Sequence, residues 1–286
     1  MFQFKNRSCP ICRKDSHHAL TRMKVGRLIE SNPGYHKNWF TESTIPVHKE
    51  LEFKYCSSCD IAYVSEVLED YYLQKYYEEA IDHTKSYSKV VSKSKRKQVY
   101  EILSQLHKFF PDQEKIKIVD FGAGWGDFLL AANTYGMKCY ALELDSKKVQ
   151  KLLNHGIKAG NLDFLNSEGP FDAFICNQML EHLDHPNEML SSITELLNDG
   201  AAGFISVPIY SKRRLKNEVK LNETGKLPSK DFDPLGHLNY FSANSFRNMV
   251  SGHGFSELRT AGRIEKTKEV LGFKQKDNNL FVRFAK

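Results

Sequence analysis

The sequence contains no long run of apolar residues. No stretch of its 286 residues reaches the ~18 consecutive apolar positions that a membrane-spanning helix requires. The segment Met1–Pro10 also lacks the apolar core of a secretion signal. Without a secretion signal, the thiols are not expected to reach an oxidising compartment. We therefore expect a cytoplasmic protein without a membrane span.

The charge balance lacks a strong excess of either sign. The chain carries 41 basic and 35 acidic residues, a net charge of +6 with neutral histidines. This surplus suits an anionic or phosphate-bearing small molecule, but it is too small to demand nucleic acid as a partner. With 41% hydrophobic residues the chain can bury a core, which excludes wholesale disorder. At about 150 residues per domain, the length predicts one large or two modest domains.

Six cysteines are too few for a disulfide-dense secreted scaffold, but four of them are placed in pairs. Cys9 and Cys12 form one C-x2-C turn, and Cys56 and Cys59 form another. Two such turns supply the four thiolates of a tetrahedral zinc site, and a closed four-sulfur site is structural. Unligated cysteines and a redox dithiol are the alternatives. We place this module at residues 1–90, with a basic helical linker, and a second domain at residues 91–286.

A glycine loop follows a buried strand in the second domain. The apolar run Ile116–Phe121 leads into Gly122, Gly124 and Gly126, and a helix is predicted after them. The next strand ends at Glu143, 23 positions after Asp120, where a carboxylate can accept both hydroxyl protons of a ribose. The loop lacks the third glycine of the G-x-G-x-x-G dinucleotide fingerprint, which argues against NAD.

The acidic-x-G-x-G-x-G loop resembles motif I of the class I S-adenosylmethionine-dependent methyltransferases. The resemblance continues over residues 100–286 through Phe171–Cys176, which matches the fourth strand of that family, and through Glu181-His182-Leu183 followed by Pro186. It implies an α/β fold, a Rossmann-like sheet flanked by helices, with the small zinc-binding module added at the N-terminus. A Rossmann-like domain that binds another nucleotide or has lost activity is the alternative.

The resemblance also implies S-adenosylmethionine as the cofactor and assigns its contacts. Asp120 to Gly126 would hold the methionine end, Glu143 the ribose and Asp163 the adenine amine. The full set of expected cofactor-binding residues is Asp120, Gly122, Ala123, Gly124, Gly126, Phe128, Glu143, Leu144, Asp163, Phe164 and Asn177.

Four residues are predicted to serve the methyl acceptor. His182 and His237 are the candidate general bases, because histidine takes up a proton near neutral pH. Glu181 and Tyr240 are expected beside them. The alternative is that Glu181 and His182 only organise the start of a helix and the cofactor pocket. Some related enzymes bind a divalent ion with an acid-rich version of this segment, and Asn177 and Gln178 here argue against that ion.

The acceptor itself is predicted from two features. The segment Ile209–Pro234 is basic and poor in apolar residues, so it is expected to form a lid or phosphate-binding loop, or else a solvated loop. The cysteine module resembles that of enzymes that methylate deoxysugars, which implies a sugar or nucleotide-linked sugar as acceptor. RNA or protein methylation is the alternative function, and a non-catalytic binding protein is a third. The oligomeric state is not predicted.

Overall fold

The structure is a computed structural model that describes residues 2–15, 18–26, 45, 48–80, 87, 92–110, 115–226, 228–229, 232–258 and 279–285. The chain divides into two compact units. The first unit draws on Met1–Ser92, Leu180–Glu188 and Pro208–Ser245, and the second on Lys93–Met179, Met189–Val207 and Phe246–Lys286. The predicted domain boundary near residue 90 lies outside the described residues. Two later segments of the chain therefore belong to the first unit, which the sequence did not indicate.

The second unit is built on a seven-stranded sheet. Its strands are β6 (Lys117–Phe121), β7 (Lys138–Leu142), β8 (Lys158–Gly160), β9 (Phe171–Asn177), β10 (Leu197–Ser206), β12 (Phe255–Glu257) and β13 (Asn279–Phe284). Their order is β12-β13-β10-β9-β6-β7-β8, and only the β10–β13 and β13–β12 pairs are antiparallel. The chain runs outward from β6 to β8 and then returns to β9, so the topological switch point lies between β6 and β9. Open α/β sheets bind ligands at this point, beyond the carboxyl ends of the strands.

Four helices of the second unit precede β9 in the chain, and a side chain caps the start of two of them. They are α2 (Lys93–His107), α3 (Asp127–Thr134), α4 (Ser146–Asn154) and α5 (Leu162–Glu168). The Asp145 carboxylate accepts the N–H groups of Lys147 and Lys148 at the start of α4, and Asn161 accepts that of Phe164 at the start of α5. One face of α2 is apolar and buried, and it consists of Val99, Ile102, Leu103 and Leu106.

The first unit contains two small antiparallel sheets. One pairs β1 (Phe4–Asn6) with β5 (Glu66–Leu68), and the other has the order β11-β4-β3-β2. These four strands are β11 (Asn239–Phe241), β4 (Ile61–Val64), β3 (Glu50–Cys56) and β2 (His18–Lys24). The helix α1 (Asp70–Lys75) continues into a π-helical turn at Tyr76–Ala80, and a 3₁₀ turn covers Leu180–His182.

The basic segment 209–234 contains a helix, whereas the sequence predicted a lid or a loop. The helix α7 (Lys212–Glu223) covers 12 of its 26 residues, and the Ser211 hydroxyl caps the start of this helix by accepting the Arg214 N–H. Leu215 and Val219 belong to the apolar core of the first unit. The expectation of a loop was therefore wrong for Lys212–Glu223, where a serine cap and two apolar residues spaced four apart support a packed helix.

Two further helices lie later in the described part of the chain. They are α6 (Pro186–Glu195) and α8 (Ala243–Ser251). Pro186 begins α6 as expected, and the Ser242 hydroxyl caps α8 by accepting the Ser245 N–H at 3.0 Å. Along the described stretches, no helix has the length and apolarity needed to cross a membrane. The predicted α/β fold, with a mixed central sheet flanked by helices and an N-terminal cysteine cluster, is confirmed.

Candidate active site

The glycine loop lies at the switch point of the second unit. Gly122, Gly124 and Gly126 all have a positive φ, which L side chains rarely adopt. A Cβ atom on Gly122 would lie 2.9 Å from the Met179 side chain, and one on Gly126 would lie 2.3 Å from that of Leu152. A Cβ atom on Gly124 would meet no atom within 4 Å. Gly124 therefore borders open space that a ligand can occupy, whereas the other two glycines allow close packing.

The Glu143 carboxylate is joined to this loop by hydrogen bonds. Its Oε2 accepts the Gly124 N–H at 2.8 Å, and its Oε1 accepts the N–H groups of Leu144 and Asp145 at 2.9 Å. A carboxylate offers about four acceptor positions, so three N–H groups leave room for a ligand hydroxyl. The structure thus places the Glu143 carboxylate in direct contact with the glycine loop.

Asp120 provides a second carboxylate at the end of β6. It is buried, and burial raises its pKa well above the ordinary value, with Asp127 raising it further and Lys95 opposing the shift. A cationic ligand group beside Asp120 would restore its charged form, since an opposite charge favours ionisation. The amino group of the methionine end of the cofactor has the required charge.

The other predicted cofactor residues differ in exposure. Ala123 and Phe128 are buried, and the Phe128 ring belongs to the apolar core of the second unit. Leu144 is 70% exposed, and Asp163 is exposed in the first turn of α5. The remaining two are Phe164, which packs on Gly160, and Asn177, whose Oδ1 accepts the Ser206 hydroxyl at 2.7 Å.

The two candidate bases lie together in the first unit with Glu181. The ligating atoms of Glu181, His182 and His237 are all within 4.8 Å of one another. The two imidazole rings are 4.5 Å apart at an interplanar angle of 80°, and Glu181 is fully buried. This spacing also suits a divalent cation. The expectation that no divalent ion binds to this segment, which rests on Asn177 and Gln178, stays a prediction.

The surroundings of the His182 ring favour one tautomer. Its Nδ1 lies 2.9 Å from the Gly236 carbonyl oxygen and 3.2 Å from the Tyr77 hydroxyl, and because the carbonyl only accepts, a proton on Nδ1 satisfies it. Nε2 is then a proton acceptor, 3.9 Å from Glu181 Oε1. The Tyr77 hydroxyl donates to the same carbonyl at 3.2 Å. The geometry therefore leaves Nε2 as the basic atom.

A buried arginine connects the segments that carry the histidines. Arg7 donates to the Leu238 carbonyl at 2.8 Å, to Asn239 Oδ1 at 2.7 Å and to the Val64 carbonyl at 2.9 Å, and it pairs with Asp184 at 3.2 Å. Asn239 in turn donates to the carbonyls of residues 180 and 183. Arg7 thus joins the segment that follows His182 to the segment that follows His237. Neither Arg7 nor Tyr77 was predicted, because local patterns do not show contacts between distant residues.

Tyr240 does not belong to the histidine cluster. It is 1% exposed and packs against Phe53, Tyr210 and Phe232 in the core of the first unit. It also lines a cavity of about 300 Å³ beside the start of α7.

The four predicted zinc ligands converge in the first unit. The Sγ atoms of Cys9, Cys12, Cys56 and Cys59 lie within 4.8 Å of one another, and Cys12 and Cys56 are 3.7 Å apart. A zinc tetrahedron with sulfur at about 2.3 Å has edges of about 3.8 Å, so the four thiols fit the metal. Each turn is followed by a residue with positive φ, Arg13 at 58° and Asp60 at 52°. Burial raises the pKa of Cys9 to about 12, so a cation is needed to hold it as thiolate at neutral pH.

Comparison with known proteins places the chain in a family. A family model described as a methyltransferase domain matches residues 94–259, more than half of the chain. A ubiquinone biosynthesis O-methyltransferase of Xylella fastidiosa (strain 9a5c) is 27% identical over 100 residues, which cover 32% of this chain and 41% of that relative. The chain thus matches less than half the length of this curated relative.

One solved structure supports the fold. A magnesium protoporphyrin IX methyltransferase from Synechocystis PCC 6803, crystallised with bound SAH, superposes with a TM-score of 0.54 at 13% identity, covering 76% of this chain and 100% of that one. The family match over residues 94–259 includes the glycine loop and Glu143. The chain belongs to the methyltransferase domain family, the class I S-adenosylmethionine-dependent methyltransferases.

Proposed function

We propose that this protein transfers a methyl group from S-adenosylmethionine to a small-molecule acceptor, a sugar or nucleotide-linked sugar, at oxygen or carbon. The observation that carries the proposal is the open space at Gly124, beside a carboxylate that is hydrogen-bonded to the Gly124 N–H. The buried Asp120 carboxylate supplies the charge for the amino group of the cofactor. Glu143 binds the ribose by accepting one of its hydroxyls, and Asp163 contacts the adenine amine.

His182 is the general base of the proposed reaction. The bound cofactor supplies an electrophilic methyl group on a sulfonium. Since Nδ1 donates to the Gly236 carbonyl, Nε2 takes the proton from the acceptor atom that receives the methyl group. The buried Glu181 carboxylate, 3.9 Å from Nε2, stabilises the imidazolium that this transfer creates. His237 packs edge-on against His182 and is the second candidate for the same role.

The acceptor class is proposed on two features. They are the resemblance of the cysteine module to that of deoxysugar methyltransferases and the basic residues at the start of α7. The competing acceptor, RNA or protein, is an outcome of the test below.

The test is methyl transfer from isotope-labelled S-adenosylmethionine to pools of nucleotide sugars, RNA and protein, read by mass spectrometry. We expect label in a nucleotide sugar, and label only in RNA or protein would refute the acceptor. The variant His182→Ala should lose about 100-fold or more in rate while it binds S-adenosylhomocysteine as the wild type does. A His182→Ala enzyme with full rate would show that His182 is not the base. His253→Ala is the matched control, since that imidazole bonds to a carbonyl in α8 and is expected to be dispensable.

We also propose that the four cysteines bind one structural zinc ion. Four thiolates complete a tetrahedron and leave no open position for chemistry. The support is the mutual spacing of the sulfurs and the matching turn at the two C-x2-C pairs. The expected boundaries, a zinc-binding module at residues 1–90 and a methyltransferase domain at residues 91–286, stay a prediction.

A further inference from the structure

The two C-x2-C turns lie in the same unit as the candidate bases and are bonded to the chain beside them. We call residues 9–12 the first cysteine turn and residues 56–59 the second cysteine turn. Both turns, His182 and His237 belong to the first unit. A structural zinc ion stabilises the loops that ligate it. Hydrogen bonds that continue from those loops to the bases extend this stabilisation to the groups that move a proton.

The first cysteine turn is bonded to the segment that follows His182. The side-chain amide of Asn187, in the first turn of α6, donates to the Ile11 carbonyl inside the cysteine turn at 3.2 Å. Arg7, two residues before Cys9, pairs with Asp184 at 3.2 Å and is 3% exposed. The chain just after His182 is therefore attached to the first cysteine turn at two points.

The second cysteine turn is bonded to the segment that follows His237. The strand β4 begins one residue after this turn and pairs with β11, which begins two residues after His237. At the start of β4, Asp60 accepts the Ser242 hydroxyl at 2.7 Å. At its end, the Val64 N–H donates to the Leu238 carbonyl at 3.0 Å. The backbone next to His237 is therefore attached to the second cysteine turn through one short strand.

The two attached segments are also bonded to each other beside the histidines. The Leu238 N–H donates to the Glu181 carbonyl at 2.7 Å. Arg7 donates to the Leu238 carbonyl at 2.8 Å, so it reaches both segments. The imidazole rings of His182 and His237 meet edge-on in this arrangement, with their centres 4.5 Å apart. The relative position of the two rings is thus set by a network that begins at the two cysteine turns.

We propose that metal binding by the four cysteines positions His182 and His237 for proton transfer, so that the metal controls the reaction without taking part in it. This inference rests on the proposed function for the role of the histidines. Four thiolates on one ion join the two cysteine turns to each other. Loss of the ion removes that link, and both segments lose their common support. A displacement of about 1 Å at a positioned catalytic group costs on the order of 100-fold in rate.

The first test follows the imidazole rings by NMR in the full chain labelled with 15N-histidine, at fixed pH. Spectra are compared for zinc-loaded protein, for protein stripped with a strong chelator and for stripped protein given zinc again. We expect the signals of His182 and His237, assigned with His182→Ala and His237→Ala, to move on stripping and to return with zinc. The control is His253, whose ring is bonded to the Met249 carbonyl in the second unit and should keep its signal.

Turnover and cofactor binding are measured on the same three samples. Stripping should lower kcat by about 100-fold while the KM for S-adenosylmethionine and the calorimetric affinity for S-adenosylhomocysteine stay unchanged. A zinc ion that only stabilised the chain would lower kcat and cofactor affinity together in proportion to the unfolded fraction.

The variant Asn187→Ala keeps the test decisive if the stripped first unit unfolds. It retains the four cysteines and should hold about one zinc per chain, yet its His182 signal should shift and its kcat should fall. The matched control is Asn133→Ala, which removes another side-chain amide that donates to a carbonyl, that of His155, at 3.4 Å. The control should change neither quantity.

The outcomes separate this inference from the proposed function. Unchanged His182 and His237 signals after verified loss of zinc, an equal change at His253, or a wild-type spectrum for Asn187→Ala overturns the inference. In each of those cases, methyl transfer by the zinc-loaded wild type leaves the proposed function in place. A wild type that binds no S-adenosylhomocysteine and transfers no methyl group overturns the proposed function, while zinc-dependent ring signals would still support the link between the cysteine turns and the histidines.

Discussion

Single buried side chains hold the first unit together across long sequence separations. Arg7 reaches Asp184, 177 positions away, and Asn239, 232 positions away. Its side chain is 3% exposed, so its charge depends on these partners rather than on water. The segments that bear the two histidines meet through this residue.

Arg7→Met is therefore expected to lower the free energy of unfolding by about 3 kcal/mol or more, because it removes the buried donor to three backbone carbonyls and to Asn239 and leaves Asp184 with Lys5 as its remaining cationic partner. Urea unfolding measures the change. Arg22→Met is the control: Arg22 pairs with Glu52 but is 65% exposed, so its loss should change the free energy of unfolding far less. Equal losses in the two variants would contradict the assigned role of Arg7.

Two glycines of the glycine loop have similar backbone angles but different surroundings. Gly124 borders open space, whereas Gly126 faces the fully buried Leu152. Both positions have positive φ, so an added Cβ costs roughly 1 kcal/mol at either one.

Gly126→Ala should add an overpacking cost of about 1–3 kcal/mol, since the new methyl would lie 2.3 Å from the Leu152 Cδ2 atom. Gly124→Ala should keep most of its stability but lose binding of S-adenosylhomocysteine, because its methyl occupies the ligand space. Thermal unfolding and calorimetry on the pair check both statements. A Gly124→Ala protein that binds like the wild type would show that the ligand does not approach there.

The two C-x2-C turns predict that the protein binds zinc. Protein purified without added zinc should carry about one zinc per chain, and Cys12→Ala should lose it. Cys139→Ala should keep the metal, because Cys139 is a buried thiol on β7, in the second unit. Elemental analysis gives the metal content. A wild type that is folded, fully reduced and metal-free would rule out the zinc site.

Elements that depend on local pattern could be predicted from the sequence, and contacts that depend on the fold could not. The buried strands around Asp120 and Phe171, the cysteine pairs and the Ser242 cap all follow from neighbouring residues. The helix α7 had signals of its own in Ser211, Leu215 and Val219, but its many charges favoured a loop. The Tyr77 hydroxyl, the Arg7 partners and the cavity at Tyr240 arise from residues far apart in the chain, which no periodicity reveals.

The whole molecule combines a unit that carries the cofactor loop with a unit that carries the cysteines, the histidines and the cavity. The family match begins at residue 94, so the comparison covers the second unit from its start. The segments 180–188 and 208–245 are interleaved with the methyltransferase sheet along the chain yet belong to the unit of the cysteines. The acceptor chemistry proposed here therefore depends on residues of the first unit, and the cofactor chemistry on those of the second.

The central claim is that the second unit binds the methyl-donor cofactor through the loop and Glu143. Calorimetry with S-adenosylhomocysteine on the wild type, Glu143→Ala and the exposed-site control Glu195→Ala tests it most directly. We predict binding of one molecule per chain by the wild type and by Glu195→Ala, and at least about tenfold weaker binding by Glu143→Ala, which loses the ribose acceptor. No binding by folded wild-type protein, or equal binding by Glu143→Ala, would contradict the account.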